Sequence, residues 1–170
     1  RFMALESAHG AHYLRIHLMQ GKVKAGLKRA PRSAWGWKEG ETLAYLIDFL
    51  GPEGAIDFRI HYSDAVTPGT MGFPPHFAAE DAHPIDLAIL CVGSGQVTEG
   101  YPETFMAAFK PRHVILGHWE DFFRSAVKRP RRLRSSHIKA FIAEVELDLP
   151  PGGDWLLPKP GALYRYRPDR

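Results

Sequence analysis

Ile85-Asp86-Leu87-Ala88-Ile89-Leu90-Cys91-Val92-Gly93-Ser94-Gly95 and, further on, His113-Val114-Ile115-Leu116-Gly117-His118 decide the fold class. The first is a continuous apolar run between turn signals, which reads as a central strand covered on both faces. Between the two, Pro102 sits where a first helical turn begins, Glu103 to Phe109 continues as helix, and Lys110-Pro111 stops it. His113 to Leu116 is the next buried strand. Strand, helix and strand in this order predict an α/β layered architecture.

Upstream, Phe2 to Glu6 reads as a short strand entering the loop Ser7-Ala8-His9-Gly10-Ala11-His12. Tyr13 to Trp37 is basic and irregular, with a turn at Trp35-Gly36-Trp37 that exposes its aromatics. Thr42 to Leu50 and Ile56 to Tyr62 are the arms of a hairpin around Gly51-Pro52-Glu53-Gly54. Val66 to Pro84 is a long Gly/Pro-rich loop, and such loops in compact domains are often functional. Downstream, Ser135 or Ser136 is expected to cap a helix running to about Val145. The tail over 150–170 is rich in Pro and Gly, with Leu163 to Tyr166 as an expected edge strand.

The 170 residues predict a single domain. Apolar residues at 45 % and charged residues at 24 % suffice for a core, which argues against disorder. A net charge of +3 is too small to argue for nucleic acid by itself. Cys91 is the sole cysteine, so an intramolecular disulfide and a multi-cysteine zinc knuckle are both excluded. Its place in the apolar run predicts a buried, inert thiol. No stretch is apolar for long enough to span a bilayer as a helix, and the compartment, secreted, periplasmic or cytoplasmic, stays open. The run Lys128-Arg129-Pro130-Arg131-Arg132-Leu133-Arg134 is either a solvated loop or a site for phosphate, anionic lipid or nucleic acid.

Three candidate ligands each follow a strand, where α/β proteins place reactive groups. His9 follows the first, with His12 three residues later; His-x-x-His in a loop either binds metal or is simply polar. Asp64 ends Ile60-His61-Tyr62-Ser63-Asp64, as a metal-bridging carboxylate or a loop cap. His118 ends Val114-Ile115-Leu116-Gly117-His118, with Gly117 allowing close backbone approach. His12 is an alternative ligand, and Glu120 and Asp121 either orient the His118 imidazole or face water. Asp81, His83 and Asp86 form a weaker grouping, with His83-Pro84 read as turn chemistry.

Taken together, Glu6-Ser7-Ala8-His9, Tyr62-Ser63-Asp64-Ala65, Ile85 to Leu90, Pro102-Glu103 and Lys110 to His118 resemble the C-terminal half of the metallo-β-lactamase superfamily. The resemblance implies half of a four-layer αββα sandwich, a mixed sheet with flanking helices. It makes His9, Asp64 and His118 metal ligands, in the family's order. It implies one or two Zn²⁺, or another divalent metal, and hydrolysis by a metal-bound hydroxide. Where the family has Gly-Asp-Thr this chain has Ser63-Asp64-Ala65, and the family's upstream His-x-His-x-Asp-His string is absent from it. The chain alone is therefore expected to be inactive and to pack against a missing N-terminal half or another chain on its exposed sheet. The implied substrate is a small ester, amide or phosphodiester, selected in part by Phe73 and Phe77 in the loop Thr67 to Pro84. The catalytic base is not identified. Two other readings stay open: a non-catalytic α/β binding module without metals, and a nucleic-acid-processing relative that uses Lys128 to Arg134.

Overall fold

The run Leu87–Cys91 forms a central strand of a six-stranded mixed sheet. The computed structural model describes residues 1–12, 16–121, 123–125, 127–133 and 136–166. In chain order the strands are β1 (Phe2–Ser7), β2 (Thr42–Leu50), β3 (Ile56–Tyr62), β4 (Leu87–Cys91), β5 (His113–Gly117) and β6 (Asp154–Leu156). The spatial order is the same as the sequence order. β1, β2 and β3 pair antiparallel, whereas β3 to β6 pair parallel. Two reversals return β3 to the direction of β1. The C-terminal ends of β1, β3, β4 and β5 therefore share one edge of the sheet.

The helices α1 (Glu103–Phe109) and α2 (Ile138–Asp148) lie on one face. α2 buries Ile138, Phe141 and Val145, a spacing that puts all three on one side of a helix. α1 buries Phe105 and Met106. These join Ala88, Leu90, Val114 and Leu116 in the main core, while Leu5, Ala44 and Leu46 form a smaller cluster under the long loop. Removing this apolar surface from water is the main favourable term in folding.

The opposite face has no such cover. Register places Ala4, Tyr45, Tyr62, Ile89, Ile115 and Leu156 in one row across it. None of the six is fully buried, and on the same face Phe2, Leu43 and Phe49 are exposed. The expectation that Ile85 to Val92 is covered on both faces thus holds on the helix side and fails at Ile89. An apolar run signals burial, but among the described residues both α-helices pack on the other face.

Smaller differences have local causes. The α2 N-cap is His137; the Ser136 hydroxyl donates to Leu133 O, while Ser135 and Arg134 lie outside the described residues. The edge strand falls at Asp154–Leu156 rather than Leu163 to Tyr166. Trp155 supplies the reason, because its ring packs on the core and its indole N–H donates to Glu146 of α2. No helix of the described residues is long and apolar enough to cross a membrane.

Candidate functional site

His9, Asp64 and His118 lie just beyond the ends of β1, β3 and β5, all on the same sheet edge. Their loops are tied together by short-range bonds. The Ser7 hydroxyl pairs with that of Thr67 at 2.9 Å, and Gly10 N–H donates to Val66 O at 2.7 Å. Ser63 donates its hydroxyl to Ala65 O and closes the turn that presents Asp64. Ser63 N–H donates to Ile89 O, and Val92 N–H to Gly117 O, extending the parallel pairing up to the edge.

His118 adopts a left-handed backbone, φ 54°. That conformation is uncommon for a residue with a Cβ, and such strain clusters at functional sites. Its Nδ1 lies 3.9 Å from Asp64 Oδ1. The Asp64 side chain is largely exposed, which leaves its carboxylate open to a ligand. Burial and the neighbouring Asp64 carboxylate push the Tyr62 phenol above its ordinary pKa, so it stays protonated. Gly93 at the end of β4 makes room for the imidazole, since a Cβ there would sit 2.7 Å from His118 Cδ2. Gly93→Ala is expected to displace the His118 ring away from Asp64 at a stability cost of about 1–2 kcal/mol. A shift of the His118 ring resonances in an NMR spectrum, with a small drop in the urea midpoint, checks this; an unmoved ring contradicts it.

A second constellation shares His9. The donor atoms of His9, His12 and Glu39 all lie within 4.8 Å of one another, and among the described residues only these three make such a group. The two imidazoles are stacked, 4.4 Å between centroids and 10° between planes. His9 Nδ1 is 2.7 Å from Gly10 O and 3.4 Å from Glu39 Oε1. His12 Nδ1 accepts from Leu18 N–H at 3.2 Å. Burial and the nearby His9 lower the pKa of His12, against an opposing pull from Glu39, so its imidazole is neutral at neutral pH. Glu39 Oε1 is buried with no hydrogen-bond partner. His9 and Glu39 line a cleft of about 670 Å³ together with Ser7, Ala8, His17 and Pro68. His12 was visible in the sequence as an alternative ligand; Glu39 carried no such signal. It arrives because Glu39 N–H donates to Met19 O and Gly40 N–H to Gly21 O, folding the irregular segment back on the histidine loop.

The other sequence candidates take different places. Asp121 N–H donates to Arg131 O, and its carboxylate accepts from Phe123 N–H. Glu120 forms an isolated bridge with Arg132. Phe73 packs edge-on against Phe105 and Phe109 of α1, and Phe77 lies under the Arg59 guanidinium. His83 and Asp86 pair at 2.8 Å, and Asp86 also accepts from Arg59 N–H, which fits a turn. Lys128, Arg129, Arg131 and Arg132 are exposed; Arg134 lies outside the described residues. Cys91 is buried and its thiol is pushed up to about 12 by that burial, as an inert thiol requires. Compared with protein-family models, with curated proteins and with solved structures, the chain matches none.

Proposed function

We propose that this chain is the C-terminal part of a zinc-dependent hydrolase of the metallo-β-lactamase kind. The observation that carries the reading is the placement of His9, Asp64 and His118 at three strand ends on one edge, with His118 Nδ1 3.9 Å from Asp64 Oδ1. Two imidazoles and a carboxylate are donor types suited to zinc or another borderline divalent cation; here Asp64 and His118 are paired, while the His9 donor converges with His12 and Glu39 instead. Zinc held by the strand-end residues would lower the pKa of a bound water to about 7 and would polarise a carbonyl or phosphoryl oxygen. The chain's own contribution is positional. Ser63 fixes the turn that offers Asp64, Gly93 clears the space for His118, and Tyr62 stands beside Asp64 as a protonated donor.

The uncovered apolar face supports the remainder of the reading. A second sheet packed on the row from Ala4 to Leu156 would make this chain half of a four-layer αββα sandwich, and the missing ligands would come from that half. A small ester, amide or phosphodiester is the substrate class in this reading. The test uses the protein carrying both halves. Elemental analysis is expected to find zinc, and Asp64→Asn or His118→Ala to lower kcat/KM by at least about 100-fold, more than loss of a group that merely orients a ligand. Chelator-sensitive hydrolysis by the 170-residue chain alone would overturn the two-part assignment.

A further inference from the structure

We infer that His9, His12 and Glu39 form a zinc site of their own, separate from the strand-end set and sharing only His9 with it. The inference does not rest on the hydrolase reading, because Glu39 has no part in that. Three features support it. The three donor atoms converge within 4.8 Å. Glu39 Oε1 is a buried carboxylate oxygen with no hydrogen bond, and the His9 imidazole 3.4 Å away pairs its charge only when protonated, so a cation would complete the pairing. His12 Nδ1 accepts from Leu18 N–H, so that nitrogen carries a lone pair.

The donor set selects the cation. Two nitrogens and one oxygen suit Zn²⁺ over Mg²⁺ or Ca²⁺, which prefer all-oxygen shells. Three protein ligands leave a tetrahedral zinc one open position, and here it would face the cleft beside Ser7 and His17. The cation asks for one adjustment. Stacked rings aim their lone pairs side by side, whereas two nitrogens on one tetrahedral zinc sit about 3.3 Å apart with their ring planes converging on it. The His12 ring must therefore turn, and the contact it gives up is the 3.2 Å bond from Leu18 N–H to Nδ1. His9 needs no such exchange, since Nδ1–H donating to Gly10 O leaves Nε2 as a free acceptor.

The experiment is a zinc titration of the 170-residue chain against a chromogenic chelator, with circular dichroism to confirm folding of each variant. The wild-type chain is expected to take up zinc. Glu39→Gln and His12→Asn are each expected to weaken that binding by at least about tenfold, and zinc uptake to persist when Asp64→Asn and His118→Ala are combined. Glutamine keeps the shape of Glu39, so misfolding does not confound that variant. On zinc addition the His12 ring nitrogens are expected to shift in an NMR spectrum. Absence of zinc uptake by the wild-type chain overturns the inference, as does wild-type affinity in Glu39→Gln. Loss of binding that follows Asp64 and His118 instead also overturns it, while leaving the strand-end reading intact.

Discussion

Arg59→Met is expected to destabilise the protein by about 3–5 kcal/mol, the range for breaking a buried ion pair by removing one partner. Arg59 is 1 % exposed, the largest of the fully buried side chains. Its Nε donates to Asp48 Oδ1 at 2.6 Å and its Nη2 to Asp48 Oδ2 at 3.2 Å. Nη1 donates to the carbonyls of Asp81 and His83, and the guanidinium lies 4.5 Å above the Phe77 ring. One cation thus holds β2, β3 and the far end of the long loop. Burial pushes the Asp48 carboxyl up, but hydrogen bonds from Arg59 and Arg1 outweigh it and hold Asp48 below its ordinary value. Without Arg59 the carboxylate keeps only Arg1, which is itself partly exposed. Methionine preserves much of the volume, so the loss is mainly electrostatic. Arg59→Met with Asp48→Leu is expected to recover much of it, because removing both charges leaves no unpaired charge inside, although the Asp81 and His83 carbonyls lose a donor. Urea midpoints of the two single variants and the double give the coupling; additive losses would contradict it.

Acidification is expected to cost about 3 kcal/mol through His61 alone. His61 is 3 % exposed on the helix side of β3, donates from Nε2 to Gly72 O at 2.9 Å, and has its ring against Phe105. Its Nδ1 is buried without a partner. Burial lowers its pKa from 6.5 to about 4. The unfolded chain therefore takes up a proton at a higher pH than the folded one. The contribution is fully present above pH 6.5, declines as pH falls from there to about 4, and does not change further below that. Carboxylates titrate near the lower end of this window, so the comparison needs a reference. His61→Gln retains a donor for Gly72 O and does not titrate. The difference in urea midpoint between the two proteins is expected to change across the window, and a constant difference would contradict it.

The parts of the fold that were legible are those in which one residue type enforces one local outcome. Pro102 and Lys110-Pro111 bracket α1, and Gly51-Pro52-Glu53-Gly54 turns β2 into β3. What stayed hidden depends on partners distant in sequence. Asp154–Leu156 is a strand because Trp155 has α2 to pack on, and three residues show no periodicity. The candidate site divides in the same way. His9, Asp64 and His118 were legible because each follows an apolar run that ends at a turn. Glu39 reaches His9 through backbone bonds at Met19 and Gly21, which no pattern of side chains announces. Nothing in the local pattern of Ile56 to Tyr62 singles out Arg59 and His61. They are buried because the loop that carries Gly72 and Phe77 folds over them.

The strand order follows the chain with no strand skipped, from Phe2 to Leu156. During synthesis each strand leaves the ribosome beside the one already formed, so the sheet can extend one edge at a time. Each addition closes a modest loop, and closure entropy grows only slowly with loop length. The antiparallel hairpin of β2 and β3 comes early and offers the template on which the parallel strands dock. Helix α2, which covers them, comes late. Until it emerges, β4 and β5 have only α1 on their helix face and leave the rest of their apolar surface open to water, and this interval is when the nascent chain most needs a chaperone.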